Sequence, residues 1–242
     1  MNKAVATLLA GSLGLLTTAA QAQEDARIPS RGTFVISADR IFGVNAYRGT
    51  ADRTDPAGNH YETKQSGTQF SLLWGGNGTG GEVENSPNAI PRVSVDYFVS
   101  ALVSLGGSLG YYAASGERAT KNPGQTSSTH DLPDITAVVF APRVGFMIPI
   151  SKHVGFWSRA GLTYWTSQTK RDNDKLAQAA YQLNVEGMFW ISPSARLGFL
   201  VGPVIDLGFG GSQQATTNGQ RGPDASLTWT NVGVVAGVGG FF

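Results

Sequence analysis

The sequence predicts an all-β fold, an antiparallel β-barrel that crosses a membrane, and three observations support this prediction. Apolar and polar residues alternate with a period of two in segment after segment, which excludes amphipathic helices. The connections between these segments alternate between short and long, and aromatic residues gather at the segment ends. Together these features are typical of a barrel whose outer wall contacts lipid.

The composition restricts the class of protein. The chain has 242 residues, of which 32 are glycine and none is cysteine. Charged residues make up 14% of it, against about 25% in a typical soluble domain. The 18 basic and 17 acidic residues leave a formal net charge of +1, so no basic field exists to bind nucleic acid. The absence of cysteine excludes disulfide scaffolds and thiolate metal sites.

The N-terminus has the layout of a secretory signal. Lys3 supplies a short positive region, an apolar stretch runs from Ala4 to Thr18, and Ala20-Gln21-Ala22 is a small-x-small cleavage site. We therefore expect residues 1–22 to be a cleaved signal peptide and the mature chain to be exported.

Eight segments read clearly as strands, and they define a predicted barrel over residues 67–242. They are Thr68–Trp74, Arg92–Val99, Leu102–Tyr112, Ile135–Ile148, Val154–Trp165, Ala180–Ile191, Ala195–Phe209 and Leu227–Phe242. The short turns then lie at one end with the C-terminus. The long polar loops, near 75–90, 113–134, 166–179 and 210–225, lie at the other end. Because bacterial barrels have an even number of strands, we predict eight, with ten as the alternative.

Residues 23–66 form an N-terminal segment whose role stays open at this point. Within it, 33–47 is strand-like, with Phe34, Ile36, Ala38, Phe42 and Val44 on one face and Arg40 interrupting that face. The segment is either a periplasmic or plug-like piece, or one of two extra strands. In the second case its partner lies near Tyr61–Gln65 or within 75–90.

Aromatic residues concentrate at both ends of the predicted strands, where amphipathic rings favour the membrane–water interfaces. The group near the long loops is Trp74, Tyr111, Tyr112, Tyr164, Trp165, Tyr181, Phe209 and Trp229. The group near the short turns is Tyr97, Phe98, Phe156, Trp157, Phe189, Trp190, Phe241 and Phe242. We predict two aromatic girdles from these positions.

The last strand carries a resemblance to a known group of proteins. Its apolar face ends on the C-terminal aromatic residue, through Val232, Val234, Ala236, Val238, Gly240 and Phe242. With the strand pattern of nearly the whole mature chain, it resembles the small outer-membrane β-barrels of Gram-negative bacteria, the group that includes the OmpA transmembrane domain and OmpX. The resemblance implies residence in the bacterial outer membrane. It also implies that Phe242 is an assembly signal for the barrel-assembly machinery.

Six charged residues lie on the polar faces of the strands and are expected to point into the lumen. They are Asp96, Arg143, Arg159, Glu186, Arg196 and Asp206, three of each sign. An eight-stranded barrel is just wide enough to be filled by its own side chains, so these charges predict a network of mutual salt bridges. The alternative is a conduction path in which the same charges act as a selectivity ring.

Catalytic candidates are few. His130-Asp131 with Asp134 lies in a predicted loop, and His153 lies in a tight turn without an adjacent serine nucleophile. We predict no catalytic residues, cofactor or metal. The expected function is that of a structural or surface-interaction barrel with a filled lumen. The alternatives are a narrow channel for small solutes or, less favoured, a membrane-embedded hydrolase. Outer-membrane lipid is an expected partner, and the sequence identifies no extracellular ligand.

Overall fold

The computed structural model describes residues 28–55, 57–72, 75–76, 90–120, 128–194 and 196–242. It contains ten strand segments in one antiparallel sheet. They are β1 Phe34–Thr54, β2 His60–Leu72, β3 Gly75–Gly76, β4 Arg92–Phe98, β5 Val103–Thr120, β6 Ser128–Pro149, β7 Val154–Arg171, β8 Asp174–Ile191, β9 Leu197–Thr217 and β10 Gln220–Phe241. No helix in these parts of the chain is long and apolar enough to span a membrane.

Eight strands close the barrel, which confirms the predicted fold class and strand number. Neighbouring strands pair in chain order from β4 to β10, and β1 closes the ring by pairing with β10 on one side and β4 on the other. At the seam, the amide of Phe242 donates to the carbonyl of Phe34, and the amide of Phe34 donates to the carbonyl of Phe242, both at 2.9 Å.

The N-terminal strand belongs to the barrel wall, so the wall begins at Phe34 and not at residue 67. The half of β1 nearer the short turns pairs with β4, and its other half pairs with β2 from Phe42↔Leu72 to Thr54↔His60. β2 and β4 therefore follow one another along the same edge of β1. The strand predicted at 68–74 is the last part of β2, and Trp74 lies outside the described residues.

The walls extend further at the long-loop end than the sequence predicts. Strands β5 to β10 have 18 to 22 residues, whereas about 9–11 suffice to cross a bilayer. Two of the predicted long loops are continuous hairpins, closed by the pairs Arg171↔Asp174 and Thr217↔Gln220. Asp172, Asn218 and Gly219 supply the positive φ angles these tight turns need. Polar segments form strands here because the backbone hydrogen bonds between strands do not require an apolar face. These segments therefore lack the alternation of apolar and polar residues from which strands are predicted.

The β1–β2 turn at this end is held by Asp55. Its carboxylate accepts hydrogen bonds from the side-chain amide and the backbone amide of Asn59, both at 2.8 Å. These bonds hold the pKa of the Asp55 carboxyl below its ordinary value.

The distribution of apolar and charged side chains is inverted relative to that of a water-soluble protein, as expected for a barrel wall that contacts lipid. Large apolar side chains face outward, for example Leu109 at 57% exposure and Phe140 at 54%. Buried side chains fill the lumen, and its apolar parts form two clusters. The lower cluster, near the short turns, contains Phe98, Trp157, Trp190, Leu200 and Phe241, among others. The upper cluster, toward the long hairpins, contains Ile90, Val139, Trp165, Leu227 and Trp229, among others.

The aromatic girdles form only in part, because seven of the fifteen predicted members that the structure describes point inward. Neighbouring aromatic residues take opposite faces of a strand: in Tyr164-Trp165 the tyrosine is exposed and the tryptophan is buried. Phe189-Trp190 divides in the same way. In the described residues the girdles consist of tyrosine and phenylalanine, and every tryptophan packs in the lumen.

Glycine on the neighbouring strand makes room for these inward rings. A Cβ atom added to Gly198 would lie 2.2 Å from the Trp190 ring, and one added to Gly49 would lie 2.6 Å from Trp229. The high glycine content therefore has a packing role: the rings of Trp157, Trp190 and Trp229 lie over backbone that carries no side chain.

Replacing Gly198 with alanine is expected to destabilise the barrel by about 1–3 kcal/mol, because the buried Trp190 ring has nowhere to move. Gly210→Ala is the matched control, since a Cβ there meets nothing within 4 Å. Urea unfolding in lipid vesicles measures both variants. Equal stabilities would contradict this packing account.

Candidate functional site

The candidate site is a layer of buried charge in the lumen between the two apolar clusters, called here the ion layer. It contains eight charged side chains, and none of these residues is more than 7% exposed. They are Asp39, Arg40, Arg92, Asp96, Arg143, Arg159, Glu186 and Asp206. Four are basic and four are acidic, so their formal charges cancel.

Arg143 joins two strands of the wall through carboxylates on β1 and β4. Its Nε and Nη2 atoms donate to the two oxygens of Asp96 at 3.0 and 2.5 Å. Its Nη1 atom donates to Asp39 Oδ2 at 2.6 Å. Such two-pronged pairing satisfies the planar guanidinium and fixes its orientation.

Glu186 is the centre of the layer. One carboxylate oxygen lies 2.6 Å from Arg159 Nη2, directly across the β7–β8 ladder, and the other lies 2.9 Å from Arg40 Nη2. Arg143 approaches it at 3.8 Å. Three guanidinium groups therefore face this one carboxylate.

Arg40 completes the layer from a distorted point in β1. Between Ala38↔Val238 and Phe42↔Ala236 the strand carries a bulge, and Arg40 takes φ 56° within it. The bulge turns the side chain from the outer face into the lumen, where it forms two bonds to Asp206, at 2.9 and 3.0 Å. A non-glycine residue at positive φ is uncommon, and here buried ion pairs hold it in place.

Neutral side chains complete the bonding of the carboxylates. Asn184 and Asn231 donate to Asp206 at 2.7 and 3.0 Å. The hydroxyls of Ser37 and Ser94 donate to Asp39 at 2.9 and 2.8 Å. Buried ions are less costly when their hydrogen-bonding capacity is also used, and these partners bond to two of the carboxylates, Asp39 and Asp206.

Arg92 differs from the other three arginines. It is 2% exposed, yet no carboxylate of the described residues lies within 4.0 Å of it, and its Nε and Nη2 atoms have no hydrogen-bond partner. It lies opposite Asp39 in the β1–β4 ladder and two residues from Ile90 of the upper cluster. Arg92 thus balances the charge of the layer without touching a carboxylate.

The structure places five of the six predicted lumen charges in this layer: Asp96, Arg143, Arg159, Glu186 and Asp206. Arg196 is the exception and is exposed at the short-turn end. The β8–β9 turn precedes Leu197, where β9 begins, so Arg196 lies before the point at which alternation starts.

Three members of the layer were missed from sequence: Asp39, Arg40 and Arg92. Arg92 shares a strand face with Asp96, so alternation alone could have identified it. Asp39 lies on the polar face of the 33–47 segment, whose place inside or outside the barrel the sequence leaves open. Nothing in the sequence marks the bulge that turns Arg40 inward.

The histidines considered for catalysis lie in β6 and in the β6–β7 turn. His130 is within strand β6 of a hairpin. His153 lies in the β6–β7 turn, its Nδ1 3.2 Å from the carbonyl oxygen of Ser192. Among the residues the structure describes, no group of three acidic or histidine side chains is arranged to hold a metal ion.

A recess opens on the wall at the long-hairpin end. It has a volume of about 510 Å³ and is lined by Ser115, Gly116, Glu117, Leu132, Asp134, Lys170, Arg171 and Asp172. Three of these side chains are acidic and two are basic, so the recess favours neither cations nor anions.

Comparison with known proteins identifies the fold. No family model matches the sequence, and no curated protein matches it. The structure is similar to outer membrane protein OprG from Pseudomonas aeruginosa, with a TM-score of 0.53 and 12% identity over 90% of this chain and 99% of OprG.

Two further solved structures are similar at lower TM-scores. The N-terminal β-barrel domain of Pseudomonas aeruginosa OprF has a TM-score of 0.40 at 12% identity, covering 88% of this chain and all of that domain (100%). Neisserial surface protein A has a TM-score of 0.39 at 11% identity, covering 86% and 99%. The similarity to OprG shows that this chain has the fold of a small outer-membrane β-barrel.

Proposed function

We propose that this protein is a structural or surface-interaction barrel with a filled lumen and without enzymatic activity. The observation that carries the proposal is the ion layer. Its four arginines and four carboxylates occupy the middle of the lumen, and apolar clusters pack above and below it. A conduction path would need polar groups that remain available to a passing solute, whereas most of these groups bond to one another.

The strand extensions support a role outside the membrane. The hairpins rise well past the exposed apolar band, and their residues are mostly polar. The recess between β5, β6 and β7 provides a concave surface with charges of both signs. Because a rigid sheet holds these groups, we propose that this end of the barrel contacts molecules outside the cell.

Planar-bilayer recording tests the filled lumen. The chain, refolded and shown to be folded by its faster gel migration before boiling, is expected to produce no discrete conductance steps. The reason is that the ion layer and both apolar clusters would have to rearrange together to admit an ion. Reproducible steps that scale with the folded fraction would favour the narrow channel and overturn the proposal.

We further propose that residues 1–22 direct export and that Phe242 is read by the barrel-assembly machinery. Phe242 suits this role because its side chain is 40% exposed on the outer wall while its backbone closes the seam with Phe34. Phe241 instead points inward and contacts Trp190, with ring centroids 6.1 Å apart.

Replacing Phe242 with alanine is expected to lower the amount of folded barrel in outer membranes several-fold in cells. The seam hydrogen bonds are made by the backbone, so the same variant should refold normally in vesicles. Phe199→Ala, which removes another outward ring at 50% exposure, is the control. Normal insertion of Phe242→Ala in cells would show that this residue is not an assembly signal.

A further inference from the structure

We propose that the lumen binds a small inorganic anion, such as chloride, beside Arg92, between the ion layer and the upper cluster. The inference goes beyond the structural role proposed above, because it assigns a ligand to the interior of the barrel. Its starting point is a set of buried polar atoms at this level that form no hydrogen bond in the described part of the chain.

These atoms belong to nine side chains on seven strands, and none of the nine residues is more than 6% exposed. The group is called here the donor layer. It contains Asn45, Ser71, Arg92, Ser108, Thr163, Trp165, Gln182, Trp229 and Asn231. The two tryptophans are also members of the upper cluster, so the donor layer adjoins that cluster.

Strand pairing places the donor layer next to the ion layer, on the side of the long hairpins. Thr163 and Gln182 lie opposite each other in the β7–β8 ladder, and Arg159 and Glu186 lie opposite each other four residues nearer the short turns. Arg92 is the first residue of β4, at the end of that strand nearer the long hairpins. Because the lumen of an eight-stranded barrel is only as wide as the side chains that fill it, inward groups at one level face a shared space.

Obligatory donors outnumber obligatory acceptors among the unpartnered atoms of the donor layer. Five atoms can only donate, and they are Arg92 Nε, Arg92 Nη2, Trp165 Nε1, Trp229 Nε1 and Asn45 Nδ2. Two atoms can only accept, Gln182 Oε1 and Asn231 Oδ1, whereas the three hydroxyl groups can do either. The donor layer therefore suits a ligand that accepts hydrogen bonds.

The hydrogen bonds that the side-chain amides do form determine which of their atoms is left over. The Gln182 amide nitrogen donates to the carbonyl of Trp229 at 2.8 Å, so its oxygen is the unpartnered atom. The Asn231 amide nitrogen donates to Asp206 at 3.0 Å and to Asn45 Oδ1 at 3.5 Å. Asn45 therefore presents its nitrogen, which is a donor.

Three donors of the layer approach the same part of the lumen. A Cβ atom added to Gly43 would lie 3.0 Å from Asn45 Nδ2 and 3.3 Å from Ser71 Oγ. Ser71 lies opposite Gly43 in the β1–β2 ladder, and further along the same edge of β1, Asp39 lies opposite Arg92. An amide, a hydroxyl and a guanidinium group are thus brought together where β2 and β4 meet along β1.

This chemistry favours an anion over water or a cation. A cation would be repelled by the Arg92 guanidinium. A water molecule accepts hydrogen bonds but brings two donor hydrogens of its own, and the donor layer is already short of acceptors. An inorganic anion only accepts, and its hydrogen bond from the charged Arg92 is stronger than a neutral one. Because the ion layer lies below and the upper cluster above, the anion is held in place and not conducted.

Crystals of the refolded barrel grown in sodium bromide test the proposal, because bromide substitutes for chloride and is located by its anomalous scattering. An anomalous peak is expected in the donor layer, in contact with the Arg92 guanidinium. Ordered water alone at this position would overturn the proposal. A carboxylate of the chain bound to Arg92 would overturn it too, for example that of Glu82 or Glu84, which lie outside the described residues.

Bromide titration of the detergent-solubilised barrel measures the affinity in solution. Bromide quenches indole fluorescence on contact, and Trp165 and Trp229 are part of the donor layer, so the quenching of wild type is expected to saturate. Arg92→Gln is expected to weaken bromide binding at least about tenfold, because a hydrogen bond from a charged donor is lost. Quenching of wild type that does not saturate, or equal affinities in wild type and variant, is incompatible with the proposal.

Two tryptophan variants decide the matter if Arg92→Gln does not refold. Trp165→Phe removes one donor of the layer and keeps an aromatic ring, so it is expected to lower the bromide occupancy in the crystal. Trp157→Phe is the matched control, since Trp157 belongs to the lower cluster and its Nε1 donates to Ser104 at 3.2 Å. The control is expected to keep the wild-type occupancy, and equal occupancies in the two variants would contradict the proposed site.

Discussion

Eight charged side chains are enclosed by a wall whose outer surface faces lipid, and their mutual neutralisation is the constraint on which the barrel depends. An unpaired buried ion typically costs several kcal/mol, and seven of the eight groups, all except Arg92, have an oppositely charged partner within 4.0 Å. Glu186 faces three guanidinium groups, and Asp39 accepts from both Arg143 and Arg159. These pairs connect strands that are far apart in the chain and fix their relative positions.

The same constraint accounts for irregularities that otherwise weaken a strand. The bulge in β1 places Arg40 at positive φ, and its bonds to Glu186 and Asp206 compensate for that conformation. Above and below the ion layer, tryptophan rings lie over glycine on adjacent strands and fill the remaining space. In the function proposed above, a lumen occupied in this way leaves the long hairpins as the surface that contacts other molecules.

A feature could be predicted from the sequence where it follows from the alternation of apolar and polar residues along a strand. Strict period two identified the barrel, the outward apolar faces and most of the lumen charges, including Glu186. It did not distinguish lipid-facing from lumen-facing aromatic residues. Tyr164 and Trp165 are adjacent in the sequence and both were predicted to lie in a girdle, although only the tyrosine faces outward. It also missed the hairpin extensions, whose two faces are both polar, and the inward turn of Arg40, which depends on a bulge set by tertiary ion pairs.

A double-mutant cycle on Arg159 and Glu186 tests the central claim most directly. Unfolding free energies in lipid vesicles are measured for wild type, Arg159→Gln, Glu186→Gln and the double variant. Each single substitution is expected to cost up to about 3–5 kcal/mol because it takes one oppositely charged partner from a buried charge. The double variant should cost less than the sum, with a coupling of at least about 1.5 kcal/mol. Additive costs, agreeing within about 0.5 kcal/mol, would contradict a lumen organised by mutual ion pairing.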